Sequence, residues 1–411
     1  MKTIIRSYID LDFYKLLMQQ FAFLNYRHVQ TEFAFKLRTK NIRLADIIPM
    51  EEIIEQMDYA QYGLSYSLAQ IHYLRGLKNE QGKRIFCDEF LNFLSTFKLS
   101  DYHIKRVDGN YDIRPFGDWC NASPWETFIM SIVNELYYDH LGLNWDGYYR
   151  EGRRRTNEKV RLLKQYPELR FMEFGTRRRH SALWQDEVIE TLATELPRQL
   201  TGTSNVHTAM EKNLIPRGTV AHEPTMIMSG IMGPSDEGIL KSHNAFIEQW
   251  YNLYGYSYAI DLTDTYGTDF FFRDLTKQQA IDHKGLREDS AADPFYFGDE
   301  QAIPFYEKNG INPKDKLIVF SNNLTVPLMI DLHKHFHSKV KDMYGPGTNL
   351  SNDLGVPAIS IVVKPVKANG QGLVKLSDNL AKAIGEPSDI ERYKRIFSYN
   401  QVNHQYIKCT Y

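Results

Sequence analysis

The chain has 411 residues, of which 43% are hydrophobic and 24% are charged, and this mixture excludes a disordered or collagen-like chain. Lysine and arginine (49) nearly balance aspartate and glutamate (51), which gives a formal net charge of −2. Partners such as nucleic acid or an anionic membrane call for a basic field, so we expect neither. Any anion that binds must be held by a local cluster of cations.

Several features predict a cytoplasmic protein. The chain carries three isolated cysteines, which form neither a disulfide framework nor a CxxC metal motif: Cys87, Cys120 and Cys409. Residues 1–15 contain charges where a signal peptide would have an apolar core. Residues 128–143 are the nearest approach to the roughly 18–20 apolar residues of a membrane span, but they are interrupted by Asn134, Glu135 and Asp139.

The first third of the chain mixes helical and strand patterns. Helices are predicted over residues 13–24 and 46–56, and an alternating pattern predicts a strand over residues 31–37. A longer helix is predicted to begin at Ser123, because Ser123, Pro124 and Glu126 are arranged as a capping box with proline in the first turn. Residues 1–122 are therefore predicted to form an N-terminal α+β domain.

From residue 160 onward, a short apolar strand repeatedly ends in a polar turn that often precedes a helix. Seven such strands are predicted, at residues 169–174, 199–200, 218–221, 258–262, 283–286, 316–320 and 340–344. Polar residues follow nearly every strand, which favours a β/α barrel with its chemistry at the carboxyl ends of the strands. In a doubly wound open sheet they would cluster at one switch point. We assign this irregular barrel to residues 123–364.

The C-terminal region has a different pattern. A strand over residues 358–367 is followed by Asn369-Gly370, a signal for a type I′ turn, and then by a returning strand over residues 372–376. We expect this hairpin to rejoin the N-terminal layer, so residues 365–411 are assigned to that domain.

Four of the predicted strand ends carry groups suited to anions. Arg177, Arg178 and Arg179 follow one strand, and the arginine fork suits carboxylates and phosphates, although a run of arginines is often only a solvated surface. Three other loops could hold anions on backbone N–H groups and hydroxyls, or could be ordinary caps and turns: GTSN at 202–205, SNN at 321–323 and GPGTN at 345–349. Together they indicate a substrate with several phosphates.

Histidine and aspartate residues add candidate chemistry. His222 precedes Glu223; a lone histidine is usually structural, but among phosphate-binding loops it could act as a nucleophile toward a phosphoryl group. Three carboxylates at strand ends could hold Mg²⁺, steady positive charge on a sugar or cap a helix: Asp264, Asp289 and Asp293. Three alternate histidines point to different faces of a helix and are expected to be solvated rather than metal ligands: His333, His335 and His337.

From Asp10 to about Lys382 the sequence resembles the nicotinate phosphoribosyltransferase family. The motifs that carry the resemblance are DFYK (12–15), MQQ (18–20), EFGTRRR (173–179), GTSN (202–205), GTVAHE (218–223), GLREDS (285–290), VFSNNL (319–324), GPGT (345–348) and KLSD (375–378). Each motif is modest, but their order and spacing together are specific.

The resemblance implies an α/β type II phosphoribosyltransferase fold and a cytoplasmic homodimer whose active sites are shared between subunits. It implies that nicotinate, phosphoribosyl pyrophosphate (PRPP), ATP and water give nicotinate mononucleotide, diphosphate, ADP and phosphate, through phosphorylation of a histidine. Mg²⁺ would accompany PRPP and ATP, with no redox cofactor, and no protein ligands for the metal are assigned.

The same resemblance implies roles for individual residues. Catalysis would involve His222 as the phosphorylated residue, Glu223 and Asp289. Nicotinate would be bound by Tyr14, stacking from the partner subunit, and by Thr176, Arg177 and Arg287. The phosphates of PRPP would be bound by a larger set: Arg178, Thr203, Ser204, Asn322, Gly345, Gly347 and Thr348.

The sequence departs from the family pattern at two places. Ala291-Ala292 replaces a family glycine, and an alanine would strain the loop if that glycine had positive φ. Asn322 stands where the family tends to have aspartate, which removes one charge. The alternative functions are a nicotinamide phosphoribosyltransferase, which a charged Arg177 disfavours; a quinolinate phosphoribosyltransferase, which needs more cations; and a weakly active PRPP-binding regulator with the same fold.

Overall fold

A computed structural model describes residues 2–399, which form two sheets surrounded by helices. The α-helices are α1 Phe13–Asn25, α2 Met50–Asp58, α3 Leu68–Gly76, α4 Asp88–Ser95, α5 Trp119–Ala122, α6 Trp125–Asp139, α7 Trp145–Leu163, α8 Ala182–Glu195, α9 Val206–Glu211, α10 His222–Met232, α11 Asp236–Tyr254, α12 Thr268–Asp274, α13 Lys277–Asp282, α14 Pro294–Tyr296, α15 Ile303–Lys308, α16 Val326–Phe336, α17 Thr348–Ser351 and α18 Pro387–Ile396. No helix in this described part is both long and apolar enough to cross a membrane.

One sheet is antiparallel and joins the two ends of the chain. Its strands are β1 Gln30–Leu37, β2 Asp101–Val107, β3 Asn110–Asp118, β10 Ile361–Ala368 and β11 Gln371–Gly372, in the order β11-β10-β1-β3-β2. The predicted hairpin turn is confirmed, since Asn369 and Gly370 both have positive φ (47° and 79°). As expected, its first strand pairs with the N-terminal strand, from Thr31 opposite Ala368 to Leu37 opposite Ile361.

The other sheet is parallel and has six strands, one fewer than predicted. They are β4 Phe171–Glu173, β5 Leu200–Thr203, β6 Ile260–Leu262, β7 Gly285–Glu288, β8 Leu317–Phe320 and β9 Lys341–Tyr344, in the order β5-β4-β9-β8-β7-β6. The strand predicted at 218–221 is wrong. Pro216 makes one isolated bridge to Thr203, and Gly218 has φ of 138°, so the segment lies beside the edge strand without a ladder.

The predicted fold class is confirmed: an antiparallel α+β layer accompanies an irregular parallel β/α body. A continuous hydrophobic core joins the two, because α6 is buried along almost its whole length between them. That helix contacts both β10 and the turn that follows β4. The carboxyl ends of the parallel strands therefore face side chains of the antiparallel layer.

One local prediction about histidines needs correction. His333 is buried rather than solvated, and its Nδ1 lies 2.7 Å from Oδ2 of Asp342. His335 points to another face, as expected, where its Nε2 is 2.5 Å from Oδ2 of Asp299. The apolar face of α16 packs on the sheet, and this packing carries His333 inside with a carboxylate partner.

Candidate active site

A pocket opens at the carboxyl ends of the parallel strands. Its larger part has a volume of about 350 Å³ and is lined by Asp12, Tyr14, Phe174, Arg177, Arg178, Arg287, Asp289, Ser321, Asn323, Leu324, Thr325, Gly345, Gly347, Thr348 and Asn349. A smaller part of about 100 Å³ reaches His222 and shares Arg177, Arg178, Arg287 and Asp289 with the larger one. Predicted residues from six separate segments of the chain thus meet in one place.

Arg177 and Tyr14 lie side by side in the lining of this pocket. The Arg177 Cζ atom lies 5.4 Å from the centre of the Tyr14 ring, and its Nε and Nη1 atoms are 3.3 Å and 3.0 Å from carboxylate oxygens of Asp12 and Glu126. The Tyr14 hydroxyl donates to Asp12 over 2.9 Å. Tyr14 therefore lies at the pocket of its own chain, whereas the resemblance placed it at the partner's site.

Phe174, which the sequence analysis did not select, adds an apolar side chain to the lining of the pocket. It follows β4 directly, and a Cβ on Gly345 would lie 2.7 Å from its ring. A Cβ on Gly347 would lie 2.9 Å from its carbonyl oxygen. The two glycines of the 345–348 loop therefore let the loop approach the ring closely, and they line the same cavity as Thr348.

His222 begins α10 and is buried between two carboxylates. Its Nδ1 is 3.0 Å from the Thr265 hydroxyl, and its Nε2 is 3.2 Å from Oδ2 of Asp289 and 3.6 Å from Oδ1 of Asp264. Burial, together with the charge of Lys375, lowers the pKa of His222 to about 4. The imidazole is therefore neutral at physiological pH and has a lone pair available as a nucleophile.

The carboxylates beside His222 stay ionised. Burial alone would raise the pKa of Asp289, but the hydrogen bond from His222 and the charge of Arg287 outweigh it and hold that pKa well below its usual range. Burial likewise opposes ionisation of Asp264, but Lys375, 3.0 Å away, lowers its pKa. Oδ1 of Asp264 is buried without a hydrogen-bond partner. An unpaired carboxylate oxygen beside a second carboxylate fits the oxygen ligands that Mg²⁺ prefers.

Cations surround the smaller part of the pocket, and four of them were not among the predicted site residues. Arg38 comes from the chain just after β1 and Lys364 from β10, and two more lysines come from the segment after β11, namely Lys375 and Lys382. The Nζ of Lys382 donates to Oδ1 of Asn322 over 2.8 Å, so Asn322 joins the same wall. Of these residues, only Lys375 falls in a motif that carries the family resemblance, KLSD (375–378), and no role was predicted for it. We refer to Lys364, Lys375 and Lys382 as the lysine wall.

Arg287 and Arg178 lie where predicted. Both line the two parts of the pocket. The Nη1 of Arg287 donates to the Val220 carbonyl over 2.9 Å, while its Nε is buried without a hydrogen-bond partner. Arg178 reaches toward the Ile361 carbonyl of β10. Arg287 therefore places its side chain where the two parts of the pocket meet.

Three residues predicted to touch substrate lie behind the wall instead: Thr176, Thr203 and Ser204. All three side chains are buried at 0% exposure. The Thr203 hydroxyl donates to Glu173 over 2.6 Å, the Ser204 hydroxyl donates to Asp12 over 2.7 Å, and the Thr176 hydroxyl accepts from Gln185 over 3.1 Å. Their hydroxyls hold the strand ends in place, so direct contact with substrate is not what this geometry provides.

Glu223 also lies behind the pocket. It is fully buried and pairs with Lys15, and its other oxygen accepts from Trp119 Nε1 (2.8 Å) and the Ser123 hydroxyl (2.6 Å). Glu223 was predicted to take part in catalysis, but it does not face the pocket, and its role is corrected to supporting the residues around it.

The capping box predicted at Ser123 is also wrong. The Ser123 hydroxyl donates to Glu223, and the helix begins after Pro124 without a side-chain cap.

The loop after β7 differs from expectation in one respect. Neither Ala291 nor Ala292 has a positive φ, so these alanines carry no strain of that kind.

Asp293 caps the short helix α14 by accepting from Phe295 N over 2.9 Å. Of the three strand-end aspartates, Asp264 and Asp289 therefore reach His222, and Asp293 is a helix cap.

A β/α body with an arginine-rich pocket at its strand ends, a buried neutral histidine and a wall of lysines defines a class of enzymes that handle phosphorylated substrates. Comparisons with known proteins narrow the class. Residues 169–401 match the model of the nicotinate phosphoribosyltransferase (NAPRTase) family, and residues 9–134 match the model of its N-terminal domain. The chain therefore belongs to the nicotinate phosphoribosyltransferase family.

Solved structures agree. The nicotinate phosphoribosyltransferase from Porphyromonas gingivalis is 30% identical, with a TM-score of 0.86 over 96% of this chain and 100% of that one. The enzyme of that name from Vibrio cholerae is 29% identical, with a TM-score of 0.87 over 97% and 94% of the two chains. A putative nicotinate phosphoribosyltransferase from Saccharomyces cerevisiae is 25% identical, with a TM-score of 0.84 over 97% and 100%.

Proposed function

We propose that this chain is a nicotinate phosphoribosyltransferase of NAD salvage that joins nicotinate to the ribosyl phosphate of PRPP and couples the transfer to ATP hydrolysis. The observation that carries the proposal is the convergence of Arg177, His222, Asp289, Arg287 and the 345–348 loop on one pocket. Family membership and the structural relatives support it.

The pyridine ring would bind beside Tyr14 and the apolar side chain of Phe174, with its carboxylate toward Arg177. Arginine binds carboxylates with a rigid fork, so a charged acid is favoured over a neutral amide. The ring nitrogen is already a nucleophile and needs no base, so orientation supplies most of the rate. It attacks C1 of the ribose as the bond to diphosphate breaks.

The sugar and its phosphates would bind beside the pyridine. The 345–348 loop, next to Phe174, and Asn322, in the smaller part of the pocket, would contact the 5′-phosphate, and the lysine wall would take up the charge of the departing diphosphate. Asp289 would steady positive charge on the ribose. Asp264 and Asp289 would hold Mg²⁺ brought in with PRPP, and this ion would neutralise charge on the diphosphate.

His222 would accept the γ-phosphoryl group of ATP at a ring nitrogen, releasing ADP, and water would later cleave the N–P bond and release phosphate. A phosphorylated His222 would add charge beside the lysine wall and order it around PRPP, which ties ATP hydrolysis to substrate binding. As part of the same proposal, the protein works in the cytoplasm as a homodimer.

The test is an assay of mononucleotide formation from nicotinate or nicotinamide with PRPP and Mg²⁺, with and without ATP. We expect product from nicotinate and strong stimulation by ATP. Product from nicotinamide alone would indicate the amide-specific alternative, and tight PRPP binding without turnover would indicate a regulator. His222→Asn should abolish the stimulation and leave basal transfer, so stimulation that survives in this variant would refute the phosphohistidine.

A further inference from the structure

We propose that Glu126 is a positioning residue that aligns Arg177 and Lys364 in the lining of the smaller part of the pocket and so sets the preference for an anionic pyridine. The proposal rests on the proposed function and deepens it. Glu126 is fully buried on α6 and lines the smaller part of the pocket, and through Arg177 it also reaches the larger part. Neither the motifs nor the predicted roles include it in this capacity.

The geometry gives one carboxylate three cationic partners. Oε1 of Glu126 accepts from Arg177 Nη1 over 3.0 Å and from Lys364 Nζ over 2.6 Å, while Oε2 lies 2.5 Å from Lys15 Nζ. Arg177 and Lys364 both line the smaller cavity, whereas Lys15 is completely buried beneath it. Two pocket cations on different elements are therefore fixed at one oxygen atom, which sets the distance between their charges.

Each pocket cation keeps part of its donor capacity. Arg177 has five N–H donors; its Nε faces Asp12 and its Nη1 faces Glu126, so further N–H groups are available to an incoming carboxylate. Lys364 has three donors, and its ammonium needs the negative charge of Glu126 to remain protonated in a buried position. Glu126 thus acts by orienting one cation and by keeping the other charged.

The charge state of Lys364 makes this testable by pH. The groups facing it are Glu126, Arg177 and Lys15; burial lowers the pKa of Lys364 to about 8, with Glu126 opposing and the two cations reinforcing that shift. As the pH rises through this value the ammonium is lost, and anion binding weakens. We call the resulting loss of kcat/KM at high pH the alkaline limb. Removal of the Glu126 charge removes the interaction that keeps the pKa of Lys364 up, and so moves the alkaline limb to lower pH.

The experiment compares Glu126→Gln and Glu126→Asp with the wild type in kcat/KM profiles from pH 6 to 10. Gln removes the charge, so we expect KM for nicotinate to rise about tenfold or more, with a smaller effect on kcat, and the alkaline limb to shift to lower pH. Asp keeps the charge but shortens the reach, so KM should rise while the alkaline limb stays in place. A purely structural role would not separate the two variants in this way.

Two further variants separate the effect of Glu126 from a general loss of stability. Glu135→Gln is the matched control on the same helix, since Glu135 is buried but pairs with Lys2 and the Ala182 N–H rather than with the pocket. It should leave both KM and the pH profile unchanged. Lys364→Arg replaces the titrating amine with a group that stays charged, so the alkaline limb should disappear even if the Glu126 variants fold poorly.

A wild-type pH profile in Glu126→Gln, or an equal change in Glu135→Gln, would overturn the inference. So would an alkaline limb that persists in Lys364→Arg. Calorimetric binding of inorganic diphosphate at pH 7 and pH 9 provides a readout that does not depend on turnover. If the wild type makes no mononucleotide, but its diphosphate affinity falls from pH 7 to pH 9 and Glu126→Gln binds diphosphate more weakly than the wild type at pH 7, the proposed function and the pyridine preference fail. The role of Glu126 in keeping Lys364 charged then stands.

Discussion

Replacement of Lys15 by methionine tests the buried ion network beneath the pocket. Lys15 and both of its carboxylate partners, Glu126 and Glu223, have no exposed side-chain surface. Glu126 retains Arg177 and Lys364 when Lys15 is lost. Within residues 2–399, however, Lys15 supplies the only cation in ion-pair distance of Glu223, whose other partners are neutral donors. Lys15→Met should therefore lower the free energy of unfolding mainly because it leaves the buried Glu223 carboxylate without a cation.

The magnitude follows from burial. Loss of one partner of a fully buried ion pair leaves a desolvated charge and costs about 3–5 kcal/mol of the free energy of unfolding. Lys241→Met is the control, because Lys241 and its partner Glu237 are both mostly exposed, and the loss there should stay below about 0.5 kcal/mol. Urea unfolding followed by tryptophan fluorescence measures both losses.

A second substitution identifies the cause. Adding Glu223→Gln to Lys15→Met removes the uncompensated charge, so the double variant should recover stability with a coupling energy of about 1–3 kcal/mol. If Lys15→Met costs no more than the surface control, or if Glu223→Gln gives no recovery, the argument that Lys15 neutralises Glu223 is refuted.

Three further predictions concern the pocket. Arg177→Ala should raise KM for nicotinate about 10- to 100-fold, because a charged hydrogen bond is lost, and should raise KM for PRPP much less. Equal effects on the two KM values in steady-state kinetics would show that the carboxylate lies elsewhere. Gly345→Ala should lower kcat/KM, because its Cβ, 2.7 Å from the Phe174 ring, forces the ring to shift, with a cost of about 1–3 kcal/mol; unchanged kinetics would remove Phe174 from the base site. NMR titration of His222 should give a midpoint near 4, so the ATP-stimulated rate should not fall between pH 8 and pH 5 through protonation of this ring; a midpoint above 6 would contradict the effect of burial.

Local sequence determined much of the framework. The apolar segments that end in polar turns predicted the parallel strands, and the Asn369-Gly370 turn fixed the hairpin, because these features depend on backbone preferences a few residues long. The strand-end position of Arg177, Arg287 and Asp289 followed from the same pattern, since parallel strands deliver their carboxyl ends to one edge.

Tertiary structure decided how the side chains were used. Ser123 and Glu126 read as a capping box, but each finds a partner about 100 residues or more away, Glu223 and Lys364 respectively. Both side chains are completely buried, and in a dry interior a hydrogen bond to a charged partner outweighs a local bond to a neutral backbone N–H. Spacing within the chain cannot reveal such a partner.

The position of the lysine wall facing His222 could not be predicted for the same reason, although Lys375 begins the KLSD motif. Lys364, Lys375 and Lys382 come from or just after the hairpin of the antiparallel layer and stand across from His222 only because β10 pairs with β1 and packs on α6. Thr203 ends β5 and Ser204 follows it, but both side chains turn inward because Glu173 and Asp12 are buried acceptors that need donors. The sequence alone thus predicted where the parallel strands end and which polar residues follow them. Packing of the two layers decided which of those side chains face the pocket.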